Sequence, residues 1–181
     1  PGDVHNNLSA PGWAKYAWST FFPPLSVGAT TTGFYYAGRL DGEKYLQAIQ
    51  DYKVNTFCAP PTAWRLFMLV DLKKFEFSAL RDVVSAGEPL NPELYEQWKK
   101  YTETEIRDFY GQTESTAMIG NPPWYKGGKI VPGSFGRPTF MYDITLVDDD
   151  GNEITKPGEV GHIVVRLDKW RPIGLFKEYM G

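Results

Sequence analysis

One cysteine (Cys58) and two histidines (His5 and His162) are all that this 181-residue chain holds of the commonest nucleophilic and zinc-binding side chains. A single cysteine excludes an internal disulfide and a cysteine metal cluster. Cys58 sits in the mostly apolar run from Val54 to Ala59, so an inert buried thiol is expected rather than a nucleophile. Neither histidine has a serine, cysteine or acidic partner in a recognisable motif, which leaves no triad and no zinc site. No apolar run approaches a membrane span, and no basic segment precedes a signal-like core at the start. An excess of either charge is missing too: 19 Lys and Arg stand against 22 Asp and Glu, for a net charge of −3. That balance offers neither a basic patch for nucleic acid nor an acidic tail. A soluble, cytoplasmic protein is expected. The chain opens at Pro1-Gly2-Asp3 rather than at methionine and stops at Tyr179-Met180-Gly181 without a closing element, so both ends read as cut.

What is present is enough apolar material for a folded core, 42% hydrophobic and 15% aromatic, at a length for one domain or one and a fraction. Strand and helix patterns alternate through the first two-thirds. Residues 27–37 read as a strand. Asp41 can cap a helix in which Tyr45, Ala48, Ile49 and Tyr52 fall on one face at helical spacing. A short strand over 54–59 is broken by Pro60-Pro61 before a helix over 62–72 that is apolar nearly all round, and hence largely buried. A strand over 81–86 ends at Gly87-Glu88-Pro89. Asn91-Pro92 then starts a helix with Leu94, Trp98 and Tyr101 as its buried stripe, and a strand follows over 105–110. This order predicts an α/β fold, a mainly parallel sheet with helices on both faces, over residues 1–131. Over 132–181 the texture becomes β-rich, with strands over 142–147 and 160–167, an incomplete barrel in a fragment of a larger fold.

The densest chemistry lies in Asp108-Phe109-Tyr110-Gly111-Gln112-Thr113-Glu114. A strand end on a glycine turn exposes backbone beside a hydroxyl and a carboxylate, and such turns are where open parallel sheets bind ligands. Thr113 can donate to a phosphate or carboxylate oxygen, and Glu114 is a hard oxygen ligand of the kind magnesium takes alongside phosphates. The competing view is that Thr113 and Glu114 merely begin a helix toward Ala117 and Met118. Gly87-Glu88-Pro89-Leu90 and Ala59-Pro60-Pro61-Thr62 end the two preceding strands, so three loops should converge on one edge. Trp13, after Gly12, can wall an apolar pocket or be an ordinary surface aromatic. Gly127-Gly128-Lys129 lacks the spacing of a phosphate loop and is followed by Ile130. The run Asp148 to Asn152 fits a solvated turn better than a calcium loop.

Together these segments resemble the acyl-CoA synthetases of the adenylate-forming (AMP-binding) superfamily, in the acetyl and medium-chain branch. Residues 108–114 resemble the family's adenine- and magnesium-binding motif, and Ser85-Ala86-Gly87-Glu88-Pro89-Leu90 its preceding adenine-contacting turn. Phe57-Cys58-Ala59-Pro60-Pro61-Thr62 looks like the strand and helix start lining the acyl pocket. Pro132 to Pro138 and Gly158 to Ile163 are similar to later segments, in the family's order. The resemblance implies ATP, Mg2+ and coenzyme A as partners of a carboxylate substrate. The carboxylate would attack the ATP α-phosphate, giving an acyl-adenylate and pyrophosphate, and the thiol would then displace AMP. It implies that Gly87, Glu88, Pro89, Asp108, Phe109, Tyr110, Gly111 and Gln112 embrace the nucleotide. Thr113 would contact the α-phosphate and the carboxylate, Glu114 would hold magnesium, and Trp13, Ala59, Pro60, Pro61 and Thr62 would shape the acyl pocket.

The family's Asp-Thr pair before Gly-Trp is replaced here by Ala10-Pro11. The family's Ser/Thr/Gly-rich phosphate loop, its ribose-gripping Tyr-x-Thr-Gly-Asp segment and its small C-terminal domain with the adenylation lysine have no counterpart in these residues. The chain alone is therefore expected to be catalytically incomplete. Two alternatives stand beside a ligase fragment: a non-catalytic folding or interaction module, and an adenylate-forming enzyme with a different acceptor. Cut edges would also favour self-association.

Overall fold

Parallel strands need a crossover between them, and the helical segments between successive strands supply it. In the computed structural model, which describes residues 1–125 and 129–180, β1 (Val4–Asn7), β2 (Thr30–Thr32), β3 (Thr56–Ala59), β4 (Asp82–Ala86), β5 (Ile106–Gln112), β6 (Thr116–Gly120) and β7 (Arg137–Pro138) form one sheet. Its order is β2-β1-β3-β4-β5-β6-β7. The first five strands run parallel, and β6 and β7 are antiparallel to their neighbours. Residues past 131 thus also reach the large sheet, through β7. β8 (Ile144–Val147) and β9 (His162–Val165) make a separate two-stranded antiparallel sheet. The Gly127-Gly128 pair weighed as a phosphate loop lies outside the described residues. No described helix is long and apolar enough to cross a membrane.

Alternation along the strands sends side chains to two faces. One face packs on α3 (Gly42–Asp51), α4 (Pro61–Phe67) and α5 (Pro92–Thr102), and buries Leu46, Ile49, Phe57, Trp64, Phe67, Val83, Trp98 and Ile106. Trp64 sits at the centre, its ring 4.8 Å from Trp98 and 5.2 Å from Phe57, with Nε1 donating to the Ala59 carbonyl at 3.0 Å. The other face meets α1 (Ala14–Thr20), followed by α2 (Phe22–Ser26), through polar contacts. Asp41 caps α3 by accepting from the Lys44 amide, and Asn91 caps α5 by accepting from the Glu93 amide.

Four local expectations are corrected. The strand over 27–37 contracts to Thr30–Thr32, because α2 runs to Ser26 and Phe34 leaves the sheet to lie against Tyr45 and Tyr52. The helix over 62–72 stops at Phe67, and a 3-10 turn, Leu72–Lys74, follows with Asp71 as its cap. Leu69 is left exposed. On α5 the buried stripe is Leu94, Tyr95, Trp98 and Thr102. Tyr101 points outward, under the Lys100 ammonium at 5.4 Å. The largest correction concerns residues 111–118. β5 runs through Gly111 to Gln112, turns over 113–115 and returns as β6, so Ala117 and Met118 lie in a strand and not in a helix.

Candidate functional site

Because β3, β4 and β5 are parallel and in register (Ala59 beside Ser85, Ala86 beside Phe109), the segments that follow them start from one edge. The sheet therefore brings together Ala59–Thr62, Gly87–Leu90 and the 108–114 hairpin. Trp13 follows β1 at the same edge, at the start of α1, and is 71% exposed.

Asp108 joins two of these segments. Its carboxylate is buried and accepts from the Leu90 amide at 3.2 Å and the Phe109 amide at 3.1 Å. Burial pushes its pKa up to about 6, against the opposing pull of those two amides. Its backbone carbonyl accepts from Asn121 Nδ2 at 3.2 Å, and the same amide group reaches the Ser134 carbonyl. Asp108 thus fastens the 87–90 turn to β5, with its side chain directed inward.

In that turn, Gly87 holds φ +111°, a conformation that strains any side-chain-bearing residue, although nothing crowds the position itself. Glu88 and Pro89 are exposed, and the Glu88 carboxylate lies 3.7 Å from Arg65 of α4. Gly111 serves a different need. A Cβ there would stand 1.7 Å from the Thr116 carbonyl oxygen, so the residue permits the close return of β6. Phe109 covers Gly120, where a Cβ would meet its ring at 2.2 Å, and Tyr110 packs on Phe135. Gln112 and Thr113 are exposed at the hairpin tip.

Glu114 is half-buried, and Tyr179 donates its hydroxyl to the Glu114 carboxylate at 2.7 Å, which holds that carboxyl below its usual range. Its backbone carbonyl accepts from the Phe176 amide at 2.7 Å. The next carbonyl, of Ser115, accepts from the Tyr142 hydroxyl. No cluster of three or more His, Cys, Asp or Glu side chains is gathered for a metal among the described residues. Glu114 alone fits magnesium only in the mode where phosphate oxygens and water complete the shell.

On the acyl side, Ala59 and Pro61 are buried. Pro60 and Thr62 line a cavity of about 260 Å³ with Ser9, Ala10, Tyr36 and Leu40. Lys15, Asn121, Tyr142 and Tyr179 escaped the sequence reading. Each acts on backbone or side chains distant in sequence, and no local spacing announces such a contact. The one available signal was a lysine two positions after Trp13.

The AMP-binding enzyme family model matches residues 6–180. Among curated proteins, 4-hydroxybutyrate–CoA ligase 1 of Metallosphaera sedula is 59% identical over 98% of this chain, which corresponds to 31% of that protein. Among solved structures, an acyl-CoA synthetase of Brucella canis superposes with TM-score 0.86 at 29% identity, over 98% of this chain and 32% of the other. The anthranilate CoA ligase AuaEII, solved with anthranoyl-AMP, gives TM-score 0.82 at 31% identity, over 92% of this chain and 32% of the other. The chain thus spans about a third of the length of these relatives.

Proposed function

We propose, from the premise that this chain belongs to the AMP-binding enzyme family, that it forms part of an ATP-dependent acyl-CoA ligase and supplies half of its nucleotide and acyl sites. The observation that carries this reading is the convergence of three strand-end segments on one edge, two of them fastened by Asp108. A rigid edge of this kind suits chemistry that depends on positioning and charge neutralisation more than on a protein nucleophile.

In this reading the turn Gly87, Glu88 and Pro89 faces the adenine with its backbone. Asp108, Phe109 and Tyr110 support the nucleotide from within the fold, through the amide bonds of Asp108 and the packing of the two rings. Gly111 and Gln112 bring the hairpin back toward the edge, and Thr113 donates to an α-phosphate or carboxylate oxygen. Glu114 would hold magnesium, which when bound neutralises phosphate charge. Trp13, Pro60 and Thr62 border the acyl group, with buried Ala59 and Pro61 fixing the segment behind them. The 4-hydroxybutyrate named for the Metallosphaera relative favours a short carboxylate. The acyl group would pass to coenzyme A, in the cytoplasm, and this chain by itself would not complete the adenylate.

Amide hydrogen exchange with and without a non-hydrolysable acyl-adenylate analogue tests this. Protection at 86–90 and 108–114 is expected; a full-length polypeptide that neither binds the analogue nor exchanges pyrophosphate into ATP would refute it.

A second reading is favoured by the apolar outer side of α1 and α2, where Phe22 is 62% and Leu25 56% exposed. On its own the chain would self-associate through that surface. Sedimentation should show mass rising with concentration, and a monomer at every concentration would remove this reading.

A further inference from the structure

Outside the residues given roles above, the side chain that reaches deepest into the site's architecture is Lys15. It lies in the first turn of α1, two residues after Trp13, and its half-buried ammonium donates to the Ala86 carbonyl at 3.0 Å. Ala86 is the last residue of β4, and Gly87 opens the turn with its positive φ. The lysine thus takes a strand-end acceptor at the point where the turn departs. Burial depresses the lysine pKa. A hydrogen bond from a charged donor is roughly twice as strong as one between neutral groups.

The other end of the link is also held. Asn7, the last residue of β1, donates through Nδ2 to the Lys15 carbonyl at 3.4 Å and to Thr20 Oγ1 at 3.0 Å. None of the α1 residues is buried, so few apolar contacts compete with these polar ones in fixing the helix. A continuous path therefore runs from β1 through α1 to the start of the 87–90 turn.

We propose that Lys15 is a positioning residue that couples the Trp13 segment on the acyl side to the Gly87–Leu90 turn on the nucleotide side. The inference rests on the nucleotide role proposed for that turn. When α1 is docked, the ammonium fixes the Ala86 carbonyl and with it the direction in which the turn leaves the sheet. When the link is cut, the turn samples other directions and nucleotide binding weakens, while the groups that contact the reacting atoms are untouched.

The test compares Lys15→Met, which keeps the bulk and removes the donor, with Lys15→Arg, which keeps a charged donor. In the ligand-free chain, Lys15→Met should speed amide exchange at Leu90, whose buried amide donates to Asp108, about tenfold, the loss of one charge-assisted hydrogen bond. Exchange in α3 and α5 should stay at wild-type rates, and Lys15→Arg should restore most of the protection. In the full-length polypeptide, Lys15→Met should raise the KM for ATP about tenfold with kcat within about twofold, and Lys15→Arg should recover it. Unchanged exchange at Leu90, faster exchange throughout the chain, or an unchanged KM would each overturn the coupling. If the wild type shows no ATP-dependent activity, the nucleotide reading fails, and the ligand-free exchange still decides whether Lys15 sets the turn.

Discussion

Against one face of the large sheet, Trp64, Phe67 and Trp98 pack with Phe57, Val83 and Ile106 at an exposure near zero. Against the other, α1 buries none of its residues and is joined to β1 by bonds from His5 to Ser19 and from Asn7 to Thr20. The first face is held by removal of apolar surface from water, a diffuse force that tolerates no cavity. The second is held by a few directional bonds, each worth about 0.5–1.5 kcal/mol net. The outer side of that second layer leaves Trp18, Phe22, Leu25 and Val27 in solvent, and no charge occurs between Lys15 and Arg39. The dry face thus keeps the sheet together and, through Asp108, holds the 87–90 turn, while the polar face reaches the start of the same turn through Lys15.

The sharpest way to break this contrast is Trp64→Ala. It removes the centre of the aromatic cluster and its bond to Ala59, and should cost about 3–5 kcal/mol in urea unfolding. A loss below about 1 kcal/mol would mean that the dry face does not dominate.

Asp108 is the charged group set into that face, and its pH dependence is the next largest effect. Its folded pKa of about 6 lies above the ordinary 3.8. Below 3.8 both states are protonated. Between the two values the unfolded chain has released its proton while the folded one retains it, so stability falls as pH rises through that window. Asp108→Asn does not titrate. The stability difference, variant minus wild type, should therefore grow by about 2 kcal/mol from pH 4 to pH 6.5. A flat difference would show that the carboxylate is better solvated than its burial implies.

On the polar face the sign reverses. Burial lowers the His5 pKa below the ordinary 6.5, so below that pH the unfolded chain takes up a proton that the folded chain resists. Stability is lost as pH falls through 6.5, and His5→Asn should abolish that part of the profile without altering the Asp108 part. The smallest stability effect is expected at Trp18→Ser together with Phe22→Ser, within about 0.5–1 kcal/mol. The same pair should lower the sedimenting mass of the wild-type chain. A large destabilisation would show that α1 and α2 carry more of the fold than their exposure suggests.

Much of this architecture was legible because its causes are local. Asp41 and Asn91-Pro92 marked helix starts because capping is settled within one turn, and strand-helix alternation implied parallel order because a crossover has few alternatives. Tyr45 and Ile49 were found on α3, but Leu46, fully buried, was not. A helix packed across a broad surface buries more than one stripe. The strand over 27–37 failed because β-branched composition cannot say how many residues find a partner at an edge. The competing view of a helix after Glu114 failed because Gly111 allows the chain to fold back closely onto Thr116.

The sequence by itself determined the family and the strand-helix alternation that makes the sheet mainly parallel, since those depend on residue type, spacing and chain order. Only the tertiary structure decided that Asp108 turns inward to the Leu90 amide, that Tyr179 takes the Glu114 carboxylate and that Lys15 reaches Ala86. Those contacts join residues 18, 65 and 71 positions apart. Their partners are fixed by strand register and helix docking, and neither is encoded in any local window of the chain.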